Sequence, residues 1–275
     1  MQTPFVLPPT GFGPGTQAED DTLEYIALPS GMRTYTPHTP EVDDPASVAP
    51  ALAVLHQIAH ACDTVAEGGG RAQVSLAELS DVARKFLADT LGQGEVSMKL
   101  RGVPAIAVQE SVFAGVWVLR GAGVDMCEIG PVPEQAVARA HVPQRAATPD
   151  APGAPGVVNA PALLEELMDK SRAWTRDAPV HVVNLTLLPH TPEDLDHMAM
   201  AMGDGAVTIL SRGYGNCRIT AAAVPHVWRV QFFNSSDTLI LDTWEVTEMP
   251  EVAIAASEDL SDSAARIRDV IGAIQ

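Results

Sequence analysis

A chain that repeats its own rare residues at a constant spacing has to build the same unit twice, and this one does so at an offset of 111 residues. Pro50-Ala51-Leu52 returns as Pro161-Ala162-Leu163, Gly92-x-Gly94-x-Val96 as Gly203-x-Gly205-x-Val207, Arg101-Gly102 as Arg212-Gly213, and Val116-Trp117 as Val227-Trp228. Beyond the tryptophans the second copy gains six residues. The correspondence then resumes at an offset of 117, with Asp125, Glu128, Pro133-Glu134 and Ala136 against Asp242, Glu245, Pro250-Glu251 and Ala253. The insertion falls where a hairpin turn is expected. A fixed offset joining Trp and paired Gly implies internal duplication.

Each copy can be read with the help of the other. Leu52, Leu55, Ile58 and Cys62 follow helical spacing, as do Leu164, Leu167 and Met168, and both runs are expected to open on a proline in the first turn, at Pro50 and Pro161. His181 to Leu188 is rich in β-branched residues and reads as a strand, with a weaker counterpart at Gln73 to Leu76. A second helix should start at Ser80-Asp81 and at Thr191-Pro192-Glu193-Asp194, each copy ending it at a glycine, Gly92 or Gly203. Three or four alternating strands follow. The expected fold is α+β: two similar α-β-α-plus-antiparallel-meander units packed as a pseudo-symmetric pair. The boundaries are an extended Pro-rich acidic arm over 1–45, a first repeat over 46–140, a Pro/Ala/Gly linker over 141–160 and a second repeat over 161–275. The apolar stripe of Leu260, Ala264, Ile267 and Ile271 predicts a last helix capping the second half.

Charge narrows the function classes. The chain carries 35 Asp+Glu against 17 Lys+Arg, a net charge of −18, which repels phosphate backbones and anionic lipid and favours basic partners. No run approaches the ~18 apolar residues of a membrane-spanning helix. The first residues lack a basic segment, and Pro4, Pro8 and Pro9 interrupt any apolar stretch, so a cytoplasmic protein without membrane insertion or nucleic-acid partner is expected. Cys62, Cys127 and Cys217 stand far apart and read as free thiols.

Candidate chemistry is sparse. His56 and His60 share a helix face, but Gln57 replaces the glutamate of a metalloprotease motif, and a solvated face is the expectation. Five further histidines, His38, His141, His181, His190 and His197, read as surface residues. Cys217 precedes Arg218, the one cysteine with a basic neighbour. No nucleophile elbow or phosphate loop occurs, so no catalytic residue, metal or cofactor is expected. Trp117 and Trp228 read as core. What stands out is the turn Ser211-Arg212-Gly213-Tyr214-Gly215-Asn216-Cys217-Arg218, where close glycines permit tight backbone approach. Its candidate partner-binding residues are Arg212, Gly213, Tyr214, Gly215, Asn216 and Arg218. The first copy keeps only Arg101-Gly102 there, as expected if one copy has specialised.

The run Ser211 to Ile219, Val227-Trp228-Arg229-Val230-Gln231-Phe232-Phe233-Asn234-Ser235, Leu239 to Thr243, Pro250 to Ala253 and Glu258 to Ala264 resembles the carboxy-terminal domain of the HupH/HyaF/HoxQ hydrogenase expression and formation proteins. The resemblance extends to Gly13-Pro14-Gly15-Thr16-Gln17 and Leu91 to Val96. It implies an accessory protein, not an enzyme, in maturation of a membrane-bound uptake [NiFe]-hydrogenase. It also implies two partners: the small-subunit precursor that carries iron–sulfur clusters, before twin-arginine export, and a thioredoxin-like accessory protein. Chaperoning and shielding of clusters from oxygen are the roles it suggests. Open alternatives are a redox or metal-carrier protein using Cys217 or His56 and His60, and a scaffold bridging two accessory proteins.

Overall fold

The computed structural model describes residues 45–213 and 215–274. Residues 1–44 of the acidic arm, with the Gly13 to Gln17 segment and His38, lie outside the described residues. Helix α1 (Pro45–Gly68), strand β1 (Ala72–Ser75), helix α2 (Asp81–Leu91) and a meander of β2 (Val96–Leu100), β3 (Ile106–Glu110), β4 (Val116–Gly121) and β5 (Val124–Ile129) come first. After α3 (Glu134–Arg139) the pattern returns as α4 (Ala160–Ala173), β6 (His181–Asn184), α5 (Pro192–Met202), β7 (Val207–Ser211), β8 (Asn216–Ala221), β9 (Val227–Phe233) and β10 (Leu239–Val246). Helix α6 (Ser257–Ile274) follows.

Local chemistry accounts for these boundaries. The Ser80 side chain accepts the Ala83 N–H at the start of α2, and Thr191 with Asp194 forms a reciprocal capping box on α5. Asp194 is fully buried, and its Oδ1 also accepts the N–H groups of Val158, Asn159 and Ala160 at 2.7–3.0 Å. Burial alone would raise its pKa. The backbone donors outweigh it and hold the carboxyl well below the usual range.

The repeated Gly-x-Gly motif has two separate reasons. Gly92 and Gly203 leave α2 and α5 at φ +57° and +66°, a conformation that penalises side chains. Gly94 and Gly205 lie against backbone, where a Cβ would come within 2.2 Å of the carbonyl oxygens of Ser111 and Ala140 respectively.

Two expected boundaries move. Helix α1 begins at Pro45 and carries Pro50 inside it. The strand expected over His181 to Leu188 stops at Asn184, whose side chain accepts the Thr186 N–H and turns Leu185–Leu187 into a 3₁₀ turn. The six extra residues sit in the β9–β10 hairpin, where Asn234 Oδ1 accepts from the N–H groups of Ser236 and Thr238.

The ten strands among the described residues form one sheet in the order β1-β5-β4-β3-β2-β7-β8-β9-β10-β6, and every neighbouring pair is antiparallel. The join is β2 with β7. Met98 lies opposite Ile209, with Val96 opposite Ser211 and Leu100 opposite Val207, so the register is symmetric about the central pair. Hydrogen bonds across the join match: the Arg101 N–H donates to Ala206 O at 2.8 Å, and the Arg212 N–H to Glu95 O at 3.1 Å.

One face of the sheet buries Met98, Leu100, Ile106, Val108, Trp117, Leu119, Val207, Ile209, Cys217, Ile219, Trp228 and Val230 beneath Ala136 of α3 and Ala253 of the 3₁₀ turn Glu251–Ala253. Both tryptophans are fully buried. Their indole N–H groups donate to Gly130 O at 2.9 Å and Thr247 O at 3.2 Å. Burying each indole removes on the order of 200 Å² from water, worth about 5 kcal/mol as an upper estimate. Among the described residues, the other face is covered only towards its ends, by α1 and α2 over the first half and by α4 and α5 over the second.

Helix α6 does not cap the second half. It packs along α1, over the first. Ser263 donates to Ala114 O at 3.0 Å, Arg266 to Val112 O at 3.2 Å, and Arg268 pairs with Asp63. The exchange is mutual, because the segment after α3 crosses to the second half. There Ala140 O accepts the Ala206 N–H at 2.8 Å, and Arg145 forms an ion pair with Asp204 at 2.8 Å. Periodicity identifies an apolar stripe, but which surface covers it depends on where the sheet join places the two helical layers.

Candidate functional site

The turn between β7 and β8 is built from its two ends. Arg212 is tied through its N–H to Glu95 at the entry of β2, and Gly213 lies against the Glu95 side chain. Gly215 takes φ +97°, which reverses the chain into β8. The exposed Asn216 reaches Asp237 of the neighbouring hairpin at 3.4 Å. Tyr214 lies outside the described residues. The alternation of β8 then separates two neighbours: Cys217 points into the core, while Arg218 is exposed on the opposite face with its guanidinium 5.5 Å from the Phe233 ring centroid. Arg212, Gly213, Gly215 and Asn216 thus stay at the tip, and Arg218 belongs to the sheet face.

That face carries a cavity of about 740 Å³. Strands of both halves line it, with Lys99, Gln109, Arg120, Thr208, Leu210 and Arg218 on the sheet side and Arg84, Leu87 and Asp89 from α2. Arg84 is held by Asp125 and by the Leu76 carbonyl. Among the described residues no carboxylate pairs with Lys99, Arg120 or Arg218. Lys99 and Arg120 were missed in the sequence, although strand alternation already sets Lys99 opposite in direction to Met98. The missing information was register, which brings β4, β2 and β8 under one opening.

The remaining candidates lie elsewhere. Cys217 is 4% exposed, and burial first, with the Glu245 carboxylate second, pushes its thiol up to about 11. Its basic sequence neighbour gives no activation, because Arg218 points to the other side of the sheet. His56 and His60 are exposed on α1. No group of three or more metal-capable His, Cys, Asp or Glu residues occurs among the described residues.

Two histidines are not the surface residues expected. His197 is buried. His141 is half-buried against Trp228, donates from Nδ1 to Ala222 O at 3.0 Å, and has its pKa lowered to about 4, chiefly by burial. No described helix is long and apolar enough to cross a membrane.

An α+β chain with one shared sheet and an open, cation-lined face finds its class in known proteins. The model of the HupH hydrogenase expression protein, C-terminal conserved region, matches residues 48–147 and 157–274, and the chain belongs to this family. It is 60% identical to the hydrogenase expression/formation protein HupH of Rhodobacter capsulatus over 100% of both chains. It is 44% identical to the hydrogenase expression/formation protein HoxQ of Cupriavidus necator, over 97% of each, and 32% identical to the hydrogenase-1 operon protein HyaF of Escherichia coli, over 94% of this chain and 93% of that one. A role in hydrogenase maturation follows from this membership.

Proposed function

We propose that the protein is a cytoplasmic, non-catalytic accessory factor that binds the small-subunit precursor of a membrane-bound uptake [NiFe]-hydrogenase before twin-arginine export. It works with a thioredoxin-like accessory protein and shields the precursor's iron–sulfur clusters from oxygen. The observation that carries a binding role is the cavity on the open sheet face, shared by both halves and continuous with the 212–218 turn through Arg218. The acidic outer surface, at a net charge of −18, attracts basic segments such as the export signal to the outside of the protein, away from the cation-lined cavity.

We further infer that residues 46–140 and 161–275 arose by duplication around the 141–160 segment, with the acidic arm added in front. The symmetric register about Met98 and Ile209 supports this. The copies have diverged on the open face, where Lys99 corresponds to Leu210 and Ala107 to Arg218, which suits one unit to partner binding.

Co-purification with the unprocessed small subunit, its export signal intact and then deleted, tests the reading. Recovery of the precursor supports it, and dependence on the signal assigns that segment as the contact. Recovery of the thioredoxin-like protein alone would replace it with a bridging role. An Arg212→Ala/Arg218→Ala double variant that folds and retains the precursor fully would remove the turn from the site.

A further inference from the structure

The cavity has a charge opposite to that of the protein around it. The sheet register arranges its floor in two rows. Arg120, Ala107, Lys99, Thr208, Thr220 and Arg229 lie side by side on β4, β3, β2, β7, β8 and β9, and Gln109, Ser97, Leu210 and Arg218 form the central part of the next row. Neighbouring strands are about 4.8 Å apart, so the two basic side chains flanking Ala107 stand roughly 10 Å apart at their bases.

The floor between the charges is small or polar: Ala107, Ser97 and Thr208. That choice leaves the space unfilled, whereas beyond Arg229 the same row reaches Trp244, which with Val246 packs under α4 and α5. Arg229, further along the first row, is neutralised by Asp242 at 2.6 Å, and Arg84 by Asp125. Lys99, Arg120 and Arg218 are exposed and have no carboxylate partner among the described residues. Among the described residues, the one acid on the lining is Asp89.

From this geometry we propose that the cavity is a docking site for a short acidic peptide segment of a partner protein, its carboxylates held by Lys99, Arg120 and Arg218. An apolar side chain of the same segment rests on Leu87, Leu91 and Leu210. Charge complementarity selects the occupant. Unpaired cations in a protein of net charge −18 favour local carboxylates, while the long-range field repels an extended polyanion such as a nucleic acid. The site takes a segment, not a folded surface, because α2 and the sheet floor confine it. This inference concerns the ligand's chemistry and does not rest on which hydrogenase component supplies it.

The test measures fluorescence anisotropy of labelled decapeptides with the full-length protein. The probe has five Glu, two Leu and three Ser. Controls replace Glu by Gln or by Lys, and a ten-nucleotide single-stranded oligonucleotide is the fourth probe. Three exposed charge contacts together are worth on the order of tenfold in affinity or more. The Glu peptide should therefore bind at least tenfold more tightly than the Gln peptide at low ionic strength and lose that advantage in high salt.

A Lys99→Ser/Arg120→Ser/Arg218→Ser variant should lose the preference with an unchanged circular dichroism spectrum. Ala107→Trp, which keeps every charge and fills the floor, should lose binding as well. Equal affinity for the Glu and Gln peptides, preference for the Lys peptide or the oligonucleotide, no binding of the Glu peptide at millimolar concentration, or full binding by the triple variant would each overturn the proposal.

Discussion

Met98 and Ile209, 111 positions apart in the chain, face each other at the centre of the sheet, and both are essentially inaccessible to solvent. Through this pair a core that starts at Val96 in the first half continues without a break to Val230 in the second. Neither half can expose its inner face without exposing the other's. Unfolding should therefore be one cooperative transition. Urea titrations followed by far-ultraviolet circular dichroism and by tryptophan fluorescence should coincide, and two separated midpoints would mean that the halves are independent.

Gly94 and Gly205 should tolerate no side chain. At each, a Cβ would meet a backbone carbonyl oxygen at 2.2 Å, which no rotamer change can relieve. Gly94→Ala and Gly205→Ala should each destabilise by about 1–3 kcal/mol or more. Gly68→Ala is the control for an added methyl alone, since it too lies outside the positive-φ region but has open space around it. If the control cost as much as the other two, backbone crowding would not be the cause.

Glu110 is 8% exposed, and burial, with smaller contributions from Glu95 and Asp259, raises its pKa to about 7 against the lowering effect of the Gly115 N–H. A carboxyl that stays protonated when folded but ionises when unfolded makes the native state bind more protons. Its effect is a loss of stability as pH rises from the unfolded carboxyl pKa of about 4.3 to about 7, with no further change above. Glu110→Gln keeps an acceptor for Gly115 and cannot ionise. It should be the more stable protein at pH 8, by at most about 3 kcal/mol, with the gap closing towards pH 4. Thermal melts across that range measure it, and a pH-independent gap would refute the assignment.

The three thiols should be inert in the native state. Burial pushes Cys62 and Cys127 up to about 12 and Cys217 to about 11, so the reactive thiolate is scarce at pH 8. Colour development with a disulfide reagent should be slow until denaturant is added, after which three equivalents react. One rapidly reacting thiol in the folded protein, mapped to Cys217, would restore the redox alternative.

How much of this was legible in the chain itself follows from range. The repeat, the capped starts at Ser80 and Thr191, the glycine stops and the buried tryptophans depend on neighbours a few residues away or on comparison of one copy with the other, and a sequence displays both. The end of β6 at Asn184 was hidden because a side-chain-to-backbone bond competes locally with a strand that β-branched residues favour. The crossing of α6 to the first half and the burial of His141 against Trp228 were hidden because both are contacts between distant segments.

The sequence by itself determined an α+β fold and a strongly acidic chain, and it pointed to two like units and to a family. Only the tertiary structure decided that the units share one sheet through β2 and β7, that Cys217 and Arg218 part to opposite faces, and that Lys99, Arg120 and Arg218 gather around a floor of small residues. The physical reason is register. Alternation along a strand says which residues share a face, but which strands lie side by side is settled by hydrogen bonds between segments far apart in the chain.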